Sequence, residues 1–157
     1  MAEKESVPLS QAAEYLLEEC RMVLPGLQAL FGFQLIAVFN SRWEVLGPGE
    51  QRAHLLAIGL VAVAIALIMT PAAYHRQSNP EEITSTFIRL STQLLLWSMP
   101  PLAAGLCLDF YLIARVILHR PLASLLAVAL AAVFLVFWFV LPRATGLQRI
   151  VGGRGVR

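Results

Sequence analysis

The chain has 157 residues, 58% of them hydrophobic and 14% charged, with a mean hydropathy of +0.70 and a formal net charge of +2. A soluble domain carries roughly 25% charged residues, so this composition points to a chain solvated largely by lipid. The small net charge, with no interleaving of basic and aromatic residues, excludes a nucleic-acid reader.

Residues 1–21 hold Glu3, Glu5, Glu14, Glu18 and Glu19 and lack a basic stretch before an apolar core, so they do not read as a signal peptide. From Leu9 the residues Ala12, Ala13, Leu16, Leu17 and Cys20 recur at helical spacing opposite Glu14, Glu18 and Arg21. This pattern predicts an N-terminal amphipathic helix at the membrane interface, starting near Pro8 and Ser10. Pro25 and Gly26 then predict either a bend or a junction with a separate span. Proline has no N–H, so the carbonyl of Arg21 loses its helical donor. Glu14, Glu18, Arg21, Pro25, Gln28 and Gly32 follow at steps of four, three, four, three and four, which puts them on one face. Polar groups on a membrane helix need partners that hydrocarbon cannot supply, so this face is expected to meet protein or water.

Four apolar runs, 22–40, 53–70, 94–118 and 121–141, are each near the ~20 residues that cross a bilayer. The fold class expected is all-α: a polytopic membrane protein with four transmembrane helices plus the N-terminal interfacial helix. Residues 22–142 form the transmembrane domain, and 143–157 form a basic tail suited to anionic lipid. Between the first two runs Gly47, Pro48 and Gly49 make a turn, with Trp43 as an interfacial anchor. The second run carries Gly59, Ala62, Ala66 and Ala73 on a small-residue face suited to helix packing. Asn79 and Pro80, followed by Glu81 and Glu82, predict the start of the third helix in water. Pro100 and Pro101 predict a kink in that helix. Ser91, Ser98, Gly105 and Asp109 share one of its faces as a second polar seam. His119, Arg120 and Pro121 form a tight hairpin into the last span, where Ser124 is the one hydroxyl between Leu122 and Leu141 and no charge occurs. A soluble helix would need a polar face there.

With four spans the two ends share a side. That side carries eight of the twelve Lys and Arg residues, which predicts cytoplasmic termini.

Asp109 is the sharpest candidate for chemistry. It lies about 12 Å, eight residues, from the end of its span, and a carboxylate there costs roughly 2.5 to 3.5 kcal/mol unless paired, protonated or wetted. It reads either as a proton or cation site, or as a structural acid bonded to Gln34, Tyr111 or a neighbouring subunit. Gln28, Gln34, Asp109 and Ser98 form the candidate ion pathway or polar seam. Glu18, Glu19 and Arg21 read as a charged vestibule or an intersubunit ion pair, or as a solvated helix face with local pairing of Glu18 and Arg21. His54, His75 and His119 fall at span ends and read as interfacial histidines, with a pH-sensing role as the alternative. Cys20 and Cys107 read as small packing residues. No Cys/His/Asp/Glu spacing suits a metal, and no GxSxG, Walker A, HExxH or dinucleotide fingerprint occurs, so neither a cofactor nor catalysis is expected.

The stretch from Glu19 through Cys20, Arg21, Pro25, Gly26 and Gln28 to Phe33 resembles the first-span motif of a bacterial family of small four-span membrane proteins, domain-of-unknown-function family 6328. Thr70, Pro71, Ala72, Ala73, Tyr74, His75 and Arg76 resemble its second motif. Members of that family are often labelled automatically as sodium:proton antiporters, and the family has no settled activity. The resemblance implies a multi-pass protein of the bacterial inner membrane and marks Glu19, Arg21, Gly26, Gln28, His75 and Arg76 as motif positions. Glu18, Glu19 and Arg21 would then share a membrane face with His75 and Arg76 as a cytoplasmic charge cluster. Four helices are few for a self-contained transporter. The expected assembly is therefore a homo-oligomer in the lipid bilayer that moves protons or monovalent cations, or alternatively a non-transporting scaffold or regulatory subunit.

Overall fold

A computed structural model of the chain describes residues 8–77 and 84–144. Four helices account for nearly all of it: α1 (Leu9–Ala37), α2 (Pro48–Gln77), α3 (Ser85–Ile117) and α4 (Arg120–Phe134). Beyond Phe134 the last helix continues through π-helical turns at Leu135–Val140 and a 3-10 turn at Leu141–Arg143. All four are long and apolar enough to cross a membrane, the fourth when counted over Arg120–Arg143. No strand occurs among the described residues. The chain is a multi-pass, all-helical membrane protein.

The helices outrun the bilayer. At a rise of 1.5 Å per residue, the 29 residues of α1 span about 44 Å and the 33 of α3 about 50 Å, against a hydrocarbon core of ~30 Å. The amphipathic start of the chain is continuous with α1, whose helix runs through Pro25. It packs on the bundle instead of forming a separate helix, because the residues on both sides of the proline are held in one core. Leu16 and Cys20 before it and Leu27 after it cluster with Val61, Ala64, Ile68 and Leu102. That anchoring outweighs the ~3 kcal/mol disfavour for proline inside a helix. α3 likewise runs through Pro100 and Pro101 without ending, with Ser98 and Leu102 buried on either side of the pair.

α2 and α3 make the tightest pair. The face α2 buries is His54, Ala57, Val61, Ala64, Ile68 and Pro71, at steps of three and four. The small face expected to pack, Gly59, Ala62, Ala66 and Ala73, lies on another side: Gly59, Ala66 and Ala73 are exposed and Ala62 half-buried. The close approach comes from Gly105. A Cβ there would lie 3.0 Å from Val61 Cγ2 and 3.2 Å from the Ala57 carbonyl oxygen. α3 also touches α1 and α4, whereas α4 buries Ala123 alone.

Two helix starts differ in detail from their sequence signals. Thr84 caps α3, its hydroxyl accepting from the Phe87 N–H at 3.2 Å; Asn79, Pro80, Glu81 and Glu82 lie outside the described residues, as does the basic tail from residue 145. α2 starts at Pro48, with Glu50 Oε2 accepting from the Gly47 N–H at 3.0 Å in capping-box fashion.

A buried histidine, carboxylate and amide at one end of the bundle

Alternating helix directions bring the end of α1, the start of α2 and the end of α3 to the same level, at the end of the bundle away from the described termini. Gln34, His54 and Asp109 meet there. Gln34 and His54 are buried, at 4% and 6% exposure, and the Asp109 side chain is 14% exposed. Gln34 Nε2 donates to Asp109 Oδ2. His54 Nδ1 lies 3.0 Å from Asp109 Oδ1, and His54 Nε2 lies 2.9 Å from the backbone carbonyl oxygen of Gln34. Trp43 sets its ring edge-on to the imidazole at 5.2 Å between centroids.

The partners dictate the protons. A carbonyl only accepts, so Nε2 of His54 carries hydrogen and donates to Gln34. On the other side, one more proton must lie between Nδ1 and Oδ1, because two lone pairs do not face each other at 3.0 Å. That proton belongs either to an imidazolium facing a carboxylate or to a carboxylic acid facing a neutral imidazole. The pair is neutral overall in both forms, which suits a site among membrane helices. Removing the proton leaves one net negative charge. Gln34 Oε1, buried and without a partner among the described residues, adds an oxygen acceptor beside it.

A cavity of about 500 Å³ reaches this centre. Leu30, Leu112 and Val116 are among the apolar residues of its wall, and Asn40, Gln34, His54 and Asp109 among the polar ones. One turn before His54, Glu50 pairs with Arg115 at 3.1 Å and ties the start of α2 to the end of α3. Toward the termini the bundle turns apolar: Leu27, Val61 and Ala64 are buried at the next level. Beyond them a second hollow of about 580 Å³ lies between α1, α3 and Trp138, with Ser98 on its border.

The structure thus joins Gln34 to Asp109 and leaves the other seam candidates apart. Ser98 is buried, donates to the Leu95 carbonyl at 2.7 Å, and lies eleven residues from Asp109, about 16 Å along α3. Gln28 is exposed on the outside of α1. Glu18, Glu19, Arg21 and Arg76 are exposed, and neither ion pair of the described residues includes them. His75 is half-buried and packs on the Phe87 ring at 5.7 Å. Cys20 and Cys107 are free thiols, and no group of His, Cys, Asp and Glu able to hold a metal occurs among the described residues.

His54 is the member that sequence reading missed, since a histidine near a span end reads as interfacial. Its signal is its place on the Ala57, Val61, Ala64 and Ile68 stripe. Nothing in the sequence marks that stripe over the small-residue one as the face turned to α3.

No curated protein and no solved structure matches the chain. A family model described as a family of unknown function, DUF6328, matches residues 3–142, and the chain belongs to that family.

Proposed function

We propose that the chain is a non-enzymatic subunit of a self-assembling bacterial inner-membrane protein that moves protons or small monovalent cations, with His54 and Asp109 as the proton-exchanging pair. The observation that carries this reading is the hydrogen-bond geometry of His54, whose two ring nitrogens both face acceptor groups and so hold one removable proton against Asp109. Loss of that proton to water in the cavity leaves a negative centre with the free oxygen of Gln34 beside it. A monovalent cation offsets such a charge, which couples cation uptake to proton release. With both termini in the cytoplasm, the cavity opens to the outside.

Proteoliposomes carrying a trapped pH-sensitive dye test it. The wild-type chain is expected to dissipate an imposed pH gradient, and Asp109→Asn and His54→Gln to slow this by at least roughly tenfold, the low end of what a positioned acid or base contributes. A wild-type rate equal to that of protein-free liposomes would refute transport.

One observation favours a second reading. The apolar level of Leu27, Val61 and Ala64 separates the centre from the far end of the bundle. A non-transporting regulatory subunit or scaffold that senses protons from one face needs no path past it. Liposomes that hold their gradient, together with proton exchange in detergent that Asp109→Asn abolishes, would select this alternative.

A further inference from the structure

The outward face of α1 differs from that of α4. α1 buries Ala13, Leu16, Cys20, Leu27 and Gln34. Its opposite stripe leaves Glu14, Glu18, Arg21, Pro25 and Gln28 exposed and Gly32 half-buried. α4 by contrast turns Leu122, Leu125, Val128, Val133 and Val136 outward, a surface that hydrocarbon satisfies. Gln28 is nine residues from the end of α1, about 13 Å inside it. Hydrocarbon does not satisfy its amide. Nor does it satisfy the Arg21 carbonyl, which Pro25 deprives of its helical donor on the same stripe.

We propose that two copies of the chain pair through this face of α1, parallel and about a two-fold axis. The proposal rests on the self-assembly in the functional reading above and names the surface that carries it. Copies inserted in the same orientation bring their α1 helices side by side in parallel. The alternating steps of four and three form a heptad seam, which keeps two helices in register at a crossing near +20°.

The seam is self-complementary. At the two-fold axis each Gln28 amide meets that of the second copy and can both donate and accept. Glu18 and Arg21 meet their own counterparts across the axis, and the long Arg21 side chain of each copy reaches one layer back to Glu18 of the other, giving two symmetric pairs of opposite charge. Gly32, on the seam, has no atom of another helix within 4 Å of where a Cβ would lie, so it is not committed to packing inside its own chain. A buried polar residue at a seam position also selects register and partner number.

The test uses the full chain with Cys20→Ala and Cys107→Ala, reconstituted in bilayers, with one new cysteine from Gln28→Cys or from Val128→Cys on α4. Oxidation is expected to give disulfide-linked dimers through position 28, at least tenfold more than through position 128. In sedimentation of the otherwise native chain, Gln28→Leu is expected to weaken the dimer by roughly tenfold. Arg21→Glu should weaken it too, and Arg21→Glu with Glu18→Arg should restore it. A monomeric wild-type chain, equal cross-linking through both positions, or a dimer indifferent to Gln28→Leu would each overturn the proposal. Asp109→Asn separates the two readings: it should abolish proton exchange and leave cross-linking through position 28 unchanged.

Discussion

Asp109 Oδ1 and His54 Nδ1 lie 3.0 Å apart, joining the end of α3 to the start of α2. Each is the main neutralising partner of the other, and both side chains are largely buried, at 14% and 8% exposure. In the imidazolium–carboxylate form, removing one member of the buried pair costs about 3–5 kcal/mol, because the other charge is left uncompensated. His54→Ala is therefore expected to destabilise the fold by up to that much in reversible unfolding. His54→Ala combined with Asp109→Ala should cost less than the sum of the singles, with a coupling of at least about 1 kcal/mol in a double-mutant cycle. Additive costs would mean that the pair contributes nothing as a pair.

Gly105 sets the spacing of α2 and α3 one turn from that pair. Gly105→Ala gains up to about 1 kcal/mol in helix propensity. Its Cβ would press on Val61, which is fully buried, and on the Ala57 backbone carbonyl, neither of which can yield cheaply. Overpacking costs about 1–3 kcal/mol, so the steric effect is expected to win and the melting temperature to fall. Gly59→Ala, with nothing within 4 Å of its Cβ position, is the matched control and should be neutral or slightly stabilising.

Glu50 serves two partners with its two oxygens, Arg115 through Oε1 and the Gly47 N–H through Oε2. Arg115→Ala removes one interaction and should cost at most about 1 kcal/mol. Glu50→Ala removes both and uncaps α2, so it should cost about 1–2 kcal/mol. The ordering of the two variants in thermal unfolding checks the double role.

Thr84 holds the first turn of α3 by accepting from Phe87. Thr84→Ala should cost about 1 kcal/mol, and Thr84→Ser much less. The loss is local to the helix start, so hydrogen exchange at the amides of residues 85–88 should accelerate in Thr84→Ala while the middle of α3 is unchanged.

The sequence by itself determined the class and the number of helices, because a bilayer demands about 20 apolar residues per crossing and four runs meet that demand. It also marked Asp109, and Gln34 as one of its possible partners, since a carboxylate or amide within an apolar run has few ways to be satisfied. Only the tertiary structure decided which face of each helix turns inward. Periodicity gives α1 two stripes, and the polar one through Gln28 looked suited to an interior; the one that packs is the heptad of Ala13, Leu16, Cys20, Leu27 and Gln34. Periodicity likewise offers α2 the small face of Gly59 and Ala66, whereas α3 docks on Ala57, Val61 and Ala64 because Gly105 lets the backbones approach there. That docking turns His54 from a residue near a span end into the partner of Asp109. The reason is physical: spacing specifies which residues share a face, but the choice between faces depends on complementary shape and charge in another helix, distant along the chain.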